Sequence, residues 1–233
     1  MSIPVSIDPL GTLGANPLAG YVTDGLILAF DALLEPTGKR SYLTNWASGT
    51  RCEFSGDLTM NGASIVNEGK KGLVFNPYPQ QQIDGHAAFG LEYSVDICVE
   101  RSNGNASSAF NPWGENHAGE YYVPGFQILD SGADGFLRIN KSDTNYWGIY
   151  TCYIERGERI SAHLEFGPTK ENYIRVNGAS VTDDKGLAAG NPGSTATIAV
   201  GCILLAYRIY TRRLTIAEQM QNYAMDKKRF NLS

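Results

Sequence analysis

The stretch Leu91-Glu-Tyr-Ser-Val-Asp-Ile-Cys-Val-Glu100 alternates strictly, with Leu91, Tyr93, Val95, Ile97 and Val99 on one side and Glu92, Ser94, Asp96 and Glu100 on the other. Successive side chains of a strand point to opposite faces. This period of two therefore predicts a half-buried antiparallel strand, apolar face on a core and polar face in water. The same period returns in Ile160, Ala162, Leu164 and Phe166. Further strands are predicted at 26–30, 126–129, 136–139, 146–154 and 173–176. A long strand at about 195–210 should bulge or bend near Gly201. Asn61-Gly62 between 57–60 and 63–66 predicts a hairpin, and Asn177-Gly178 another turn, because both residue types tolerate positive φ.

One domain accounts for 233 residues, since all-β sandwiches commonly fill such a length. Aromatic residues at 11% and charged residues at 18% exclude a disordered chain. A net charge of −5 without a Lys/Arg stripe argues against nucleic acid and against anionic membranes as partners. The start of the sequence has neither a cationic patch nor an apolar block, so it does not read as a signal peptide. The longest apolar run, 198–207, is about half a membrane span. Residues 1–20 hold Pro4, Pro9, Pro17, Gly11, Gly14 and Gly20, which predicts an extended arm ahead of a domain at 21–233. Cys52, Cys98, Cys152 and Cys202 are far apart and read as buried thiols, with one or two disulfides as the second reading.

Only after residue 214 does the period change. Thr215-Ile-Ala-Glu218 fits a capping box. Ile216, Met220 and Tyr223 form an apolar stripe expected to pack on a sheet, and Lys227, Lys228 and Arg229 suit the negative end of a helix dipole. Many short strands, regular turns and one short helix predict an all-β antiparallel sandwich of jelly-roll type.

The segment 206–230, with Arg213-Leu-Thr215, Glu218, Asn222-Tyr223 and Asp226-Lys-Lys-Arg-Phe230, resembles the closing strand and helix of concanavalin A-like, laminin-G-like jelly rolls. Gly25-Leu-Ile-Leu-Ala-Phe-Asp31, Asn45-Trp46 with Ser48-Gly49, and Lys71-Gly-Leu-Val-Phe-Asn76 are similar to that family's opening strands, although the Trp46 turn is shorter than the family's. Closing motifs of this form are frequent in bacteriophage and prophage structural genes. The resemblance thus implies a virion surface protein, on a capsid or tail, with residues 1–20 docking it onto other virion proteins. Its lectin-like domain would adhere to cell-surface or mucin glycans. The alternatives are a module that only cements virion subunits, and a glycoside hydrolase of the same fold. Modules with such arms also form homo-oligomers.

Sugar binding by such sandwiches uses aromatic platforms with amides and carboxylates on loops. The densest such segment is 110–122, whose candidate ligand-binding residues are Asn111, Trp113, Glu115, Asn116, Tyr121 and Tyr122. Ligand contact and subunit packing are equal readings of this loop, and plain loop packing the third. Tyr146-Trp147 is a second candidate, whereas Trp46 reads as structural. Glycanases of this fold place carboxylates on one strand face, as Glu92, Asp96 and Glu100 are placed. Positions four apart lie about 13 Å apart, too far for the roughly 5–9.5 Å that a catalytic pair needs. A solvated polar face and no enzymatic activity are expected. His86, His117 and His163 lack metal spacing and read as surface or satisfied histidines. No cofactor is called for, although the family often holds calcium, for which Asp130, Asp134, Asp183 and Asp184 are the candidates and solvated turns the favoured reading. Asn105-Ala-Ser107 matches a glycosylation sequon but carries no weight without a secretory route.

Overall fold

A computed structural model of the chain describes residues 16–60, 65–66, 73–75, 92–101, 108–111, 125–131, 134–140, 150–166, 174–181, 196–199 and 203–233. Their strands are β1 (Leu26–Asp31), β2 (Gly38–Asn45), β3 (Thr50–Met60), β4 (Ile65–Val66), β5 (Leu73–Phe75), β6 (Tyr93–Glu100), β7 (Ser108–Asn111) and β8 (Gly125–Ser131). There follow β9 (Asp134–Asn140), β10 (Tyr150–Tyr153), β11 (Arg159–Phe166), β12 (Ile174–Val176), β13 (Ala179–Val181), β14 (Ala196–Ala199), β15 (Ile203–Tyr210) and the helix α1 (Ile216–Phe230). The larger sheet runs β13-β12-β11-β6-β15-β4-β3-β2, with β1 also on β15, and the smaller runs β10-β9-β8-β7-β14-β5. The architecture is the expected antiparallel β-sandwich of jelly-roll type, closed by one helix.

The alternating strand is β6, at the centre of the larger sheet between β11 and β15. Its odd residues Tyr93, Val95, Ile97 and Val99 are fully buried, as are their cross-strand neighbours Leu164, Tyr207 and Ile209. They form the apolar face that turns to the smaller sheet, each large side chain contributing roughly 1.5–3 kcal/mol by leaving water. The long strand expected over 195–210 is two strands, β14 and β15, that belong to different sheets and part at residues 200–202 around Gly201. The two sheets are thereby linked across the sandwich. The predicted hairpin forms, with Met60 opposite Ile65 and Thr59 opposite Val66, and residues 61–64 lie outside the described residues.

Two expectations are corrected. Ser94 and Asp96 are not on a solvated face: they are 0% and 3% exposed, because α1 lies over them. Nor does α1 pack through Ile216 and Met220 of its apolar stripe, although Tyr223 is partly buried against Cys98, Leu205 and Phe230. Ile216 and Met220 are 56% and 38% exposed, while Gln219, Asn222, Asp226 and Phe230 are buried. Glu92 is exposed, as expected, whereas Glu100 is half-buried and paired with Arg159 at 2.7 Å. The capping box forms as predicted, Thr215 Oγ accepting from Glu218 N (3.3 Å) and Glu218 Oε2 accepting from Thr215 N (2.8 Å). Cys52 and Cys98 are free, buried thiols.

Side chains complete the frame where strand pairing stops. Asn45 accepts from Ala29 N (3.0 Å) and donates to Ile27 O (2.8 Å), stitching β1 to the end of β2. Trp46 donates to Glu35 Oε1 (3.2 Å) and packs near Leu18, Tyr21 and Ala29, a structural role. Of the predicted arm, residues 1–15 lie outside the described residues. Asn16 to Gly20 form a turn in which the Asn16 side chain caps Leu18 N (3.0 Å).

Two glycines set how closely α1 is approached. Gly178, at φ +76° in the β12–β13 turn, would place a Cβ 2.6 Å from the Tyr223 ring, and Gly20, at φ +92°, 2.6 Å from Met225 Sδ. Gly157 has the same φ of +76° but open space around it. Gly157→Ala should therefore cost only the left-handed backbone strain, about 1–2 kcal/mol. Gly178→Ala should cost clearly more in urea denaturation, and equal losses would show that the Tyr223 contact is unimportant.

Candidate functional site

Cross-strand register places a row of charged residues under α1. Ala29 on β1 is opposite Arg208 on β15, Arg208 opposite Asp96 on β6, Asp96 opposite His163 on β11, and His163 opposite Arg175 on β12. Residues directly opposite share a face, so their side chains stand in one line across five strands. Next to it, Tyr210, Ser94 and Glu165 form a second row. Arg208, Asp96, His163 and Glu165 are all buried.

The helix supplies the partners at every turn. Gln219 donates to Glu165 Oε1 (2.6 Å) and Leu214 O (2.8 Å) and accepts from Arg175 Nε (2.8 Å). Asn222 donates to Asp96 Oδ2 (2.8 Å) and to the Tyr210 hydroxyl (2.9 Å) while accepting from Val22 N (2.9 Å). Asp226 accepts both guanidinium nitrogens of Arg208 (2.5 and 3.1 Å), the Tyr21 hydroxyl (2.9 Å) and the Ser161 hydroxyl (3.2 Å). The Arg208 guanidinium also lies 4.0 Å from the centre of the Tyr21 ring. Finally Arg229 pairs with the buried Asp31 at 2.6 Å.

His163 is held by two carboxylates: Nδ1 bonds Asp96 Oδ1, and Nε2 lies 3.4 Å from Glu165 Oε1. Burial alone would depress its basicity, but Asp96 and Glu165 outweigh it and raise the pKa from 6.5 to about 9. The imidazole is thus a cation at neutral pH. Burial likewise works against Asp96, yet His163, Arg208 and Asn222 hold its carboxyl below the usual 3.8. Burial pushes the Cys52 thiol up to about 11 and Cys98 well above 9.0, so neither is a ready nucleophile.

Around Asp96, His163, Glu165 and Asp226 the network is satisfied from within. Its carboxylates accept from named donors, and the gap between Asp96, His163, Asn222 and Asp226 holds only about 10 Å³, near the room for one water and far below a sugar ring. Among the described residues no group of three or more His, Cys, Asp or Glu could hold a metal ion. His163, read as a surface or satisfied histidine, is the satisfied kind. The sequence reading missed the matching polar face of the helix. Its signal is the spacing of Gln219, Asn222 and Asp226, which is as helical as that of Ile216, Met220 and Tyr223.

The loop candidates anchor elsewhere. Asn111 ends β7 opposite Thr197 near the start of β14, and Gly125 opens β8 opposite Asn140 at the end of β9. Tyr150 opens β10 opposite Ile139, and Phe75 ends β5 opposite Ala196. Segments 76–91, 112–124, 141–149 and 182–195 consequently all leave or enter at one end of the smaller sheet. Trp113, Glu115, Asn116, Tyr121, Tyr122, Tyr146, Trp147, Asp183 and Asp184 belong to these segments and lie outside the described residues. Asp130 and Asp134 stand at the opposite end, flanking the β8–β9 turn, with Ser131 paired to Asp134.

No known protein-family model matches the chain, and no curated protein matches it in sequence. Solved structures do. The sandwich is similar to a Trypanosoma rangeli sialidase in complex with sialic acid (14% identity, TM-score 0.59), over 98% of this chain and 36% of that one. It is also similar to the botulinum neurotoxin serotype D binding domain (12%, TM-score 0.57), over 87% of this chain and 52% of that one. The serotype D ligand-binding domain in complex with N-acetylneuraminic acid matches comparably (12%, TM-score 0.55; 87% and 51%). What is shared is the fold. The chain spans about a third of the sialidase and half of the neurotoxin domains.

Two outcomes test the network. Asp226→Ala strands the buried Arg208 charge and should cost about 3–5 kcal/mol, whereas Arg208→Met combined with Asp226→Leu should recover much of that loss. On the alkaline side, a base whose pKa is higher folded than unfolded contributes fully below 6.5, and the contribution is lost as pH rises through about 9. The melting temperature should fall across that window. His163→Gln should flatten the fall; an unchanged slope would show that His163 is not its source. The thiols and phenols, whose unfolded values are 9.0 and 10.0, act only above it.

Proposed function

We propose that this chain is a non-enzymatic glycan-binding module on the surface of a bacteriophage virion. The observation that carries the reading is that the strand ends flanking 76–91, 112–124, 141–149 and 182–195 in the smaller sheet share one end of it, and that 112–124 holds Trp113, Tyr121 and Tyr122. A rigid sandwich that presents several loops at one end is the usual platform for recognition. The likeness to a sialidase bound to sialic acid and to neurotoxin binding domains supports a sugar as what is recognised. Binding without hydrolysis fits the buried acids Asp96, Glu165 and Asp226, which are committed to His163, Gln219 and Arg208 beneath α1. Placement on a virion rests on the closing motif Asp226-Lys-Lys-Arg-Phe230 and on the Pro- and Gly-rich first 20 residues.

A glycan array probed with the purified chain should show binding that Trp113→Ala or Tyr121→Ala removes while the melting temperature is kept. Silence across host-surface and mucin glycans would overturn the reading. Reducing-sugar release from any bound glycan would instead make the chain an enzyme.

A further inference from the structure

The outer face of the β2–β3 hairpin carries a cationic stack that the frame does not use. The guanidinium carbons of Arg51 and Arg40 lie 4.4 and 5.2 Å from the centre of the Tyr42 ring. Arg40 is already committed, donating to Glu35 Oε2 (2.8 Å) and Pro36 O (2.5 Å). Arg51 is exposed, and no carboxylate among the described residues pairs with it. Stacking on Tyr42 orders its long side chain before any ligand arrives, which removes part of the entropic penalty of binding. In the turn that precedes β3, Ser48 Oγ and Thr50 Oγ1 lie 2.7 Å apart and are exposed. β2 ends the described strand order of the larger sheet, and β1 meets its end at Asn45 and Trp46.

A planar guanidinium held in this way matches a carboxylate with two parallel N–H donors. The loop end of the smaller sheet has the opposite character. Segments 76–91, 112–124, 141–149 and 182–195 contain Asp84, Glu115, Glu120, Asp143, Asp183 and Asp184 against Lys141 and Lys185, with no arginine. An acidic sugar is disfavoured there by charge and favoured at Arg51. We infer that the Arg51–Tyr42 patch is a second binding site, for the carboxylate of an acidic sugar, separate from the loop end. This inference rests on the glycan-binding reading. Glu53, opposite Tyr42 and hydrogen-bonded to Ser41 Oγ at 3.4 Å, is the nearby charge that opposes such a ligand.

Titration of the full chain with 3′-sialyllactose and with lactose, by calorimetry or saturation-transfer NMR, tests it. Sialyllactose should bind at least several-fold more tightly than lactose. Arg51→Gln should weaken sialyllactose roughly tenfold, leaving lactose unchanged. Glu53→Gln should tighten sialyllactose, and Trp113→Ala should leave the Arg51-dependent part intact. Equal binding of the two sugars, or no effect of Arg51→Gln, overturns the inference while neutral-glycan binding keeps the wider reading. Absence of binding to either sugar, together with a silent array, removes both.

Discussion

The pairing of Arg208 with Asp226 governs how the larger sheet is covered. A fully buried guanidinium is tolerable only when its charge and its donors are matched, since taking an ion out of water costs several kcal/mol after relaxation. Asp226 supplies the charge at 2.5 Å and Tyr21 an aromatic face at 4.0 Å. The first comes from α1 and the second from the segment before β1, so satisfying one side chain of β15 brings two remote parts of the chain onto one face. Asn222, Gln219 and Arg229 extend the same requirement along the helix. The seating of α1 is consequently directional: a rotation that brought Ile216 and Met220 inward would take Asp226 from Arg208 and Asn222 from Asp96.

Much of the fold is legible because period two in β6 and β11 and the Asn-Gly turns are local signals. So are the Thr215 cap and the change of period after residue 214. β2 is harder to read: Gly38-Lys-Arg-Ser-Tyr-Leu-Thr-Asn45 is polar, since its outer face is open and only Leu43 and Asn45 are deeply buried. Orientation of the helix is hard to read for a similar reason. Spacing identifies stripes, and α1 has two, so that only the charges waiting on β15, β6 and β11 decide which one turns inward. The ordinary rule for half-buried strands assigns the even residues of β6 to water. That rule gives way when a helix brings its own polar side chains to the face. Of the sugar-binding candidates, topology places their anchoring strands, whereas side-chain placement depends on long loops that no local pattern determines.

With one face of the larger sheet against the smaller sheet and much of the other beneath α1, large ligands are directed to loop ends and sheet margins. The two surfaces singled out differ in chemistry. The loop end is aromatic, amide-rich and acidic, and the margin at β2 is cationic with one tyrosine. Two such sites on one rigid frame would let a single chain engage a neutral and a charged sugar of the same branched glycan, and repeated copies would multiply weak contacts into firm attachment.

The polar character of the face beneath α1 also bears on how the chain folds. Tyr21 and Asp226 are 205 residues apart in sequence, and α1 follows every strand it covers. Contacts this distant close late and slowly. A sheet not yet covered by α1 would present Asp96 on β6 and His163 on β11 to water instead of a bare apolar face. Partly folded sheets usually stick to one another through exposed apolar surface. Here the waiting surface is hydrated and charged, so the same residues that fix the helix in the finished protein shield the unfinished one from self-association.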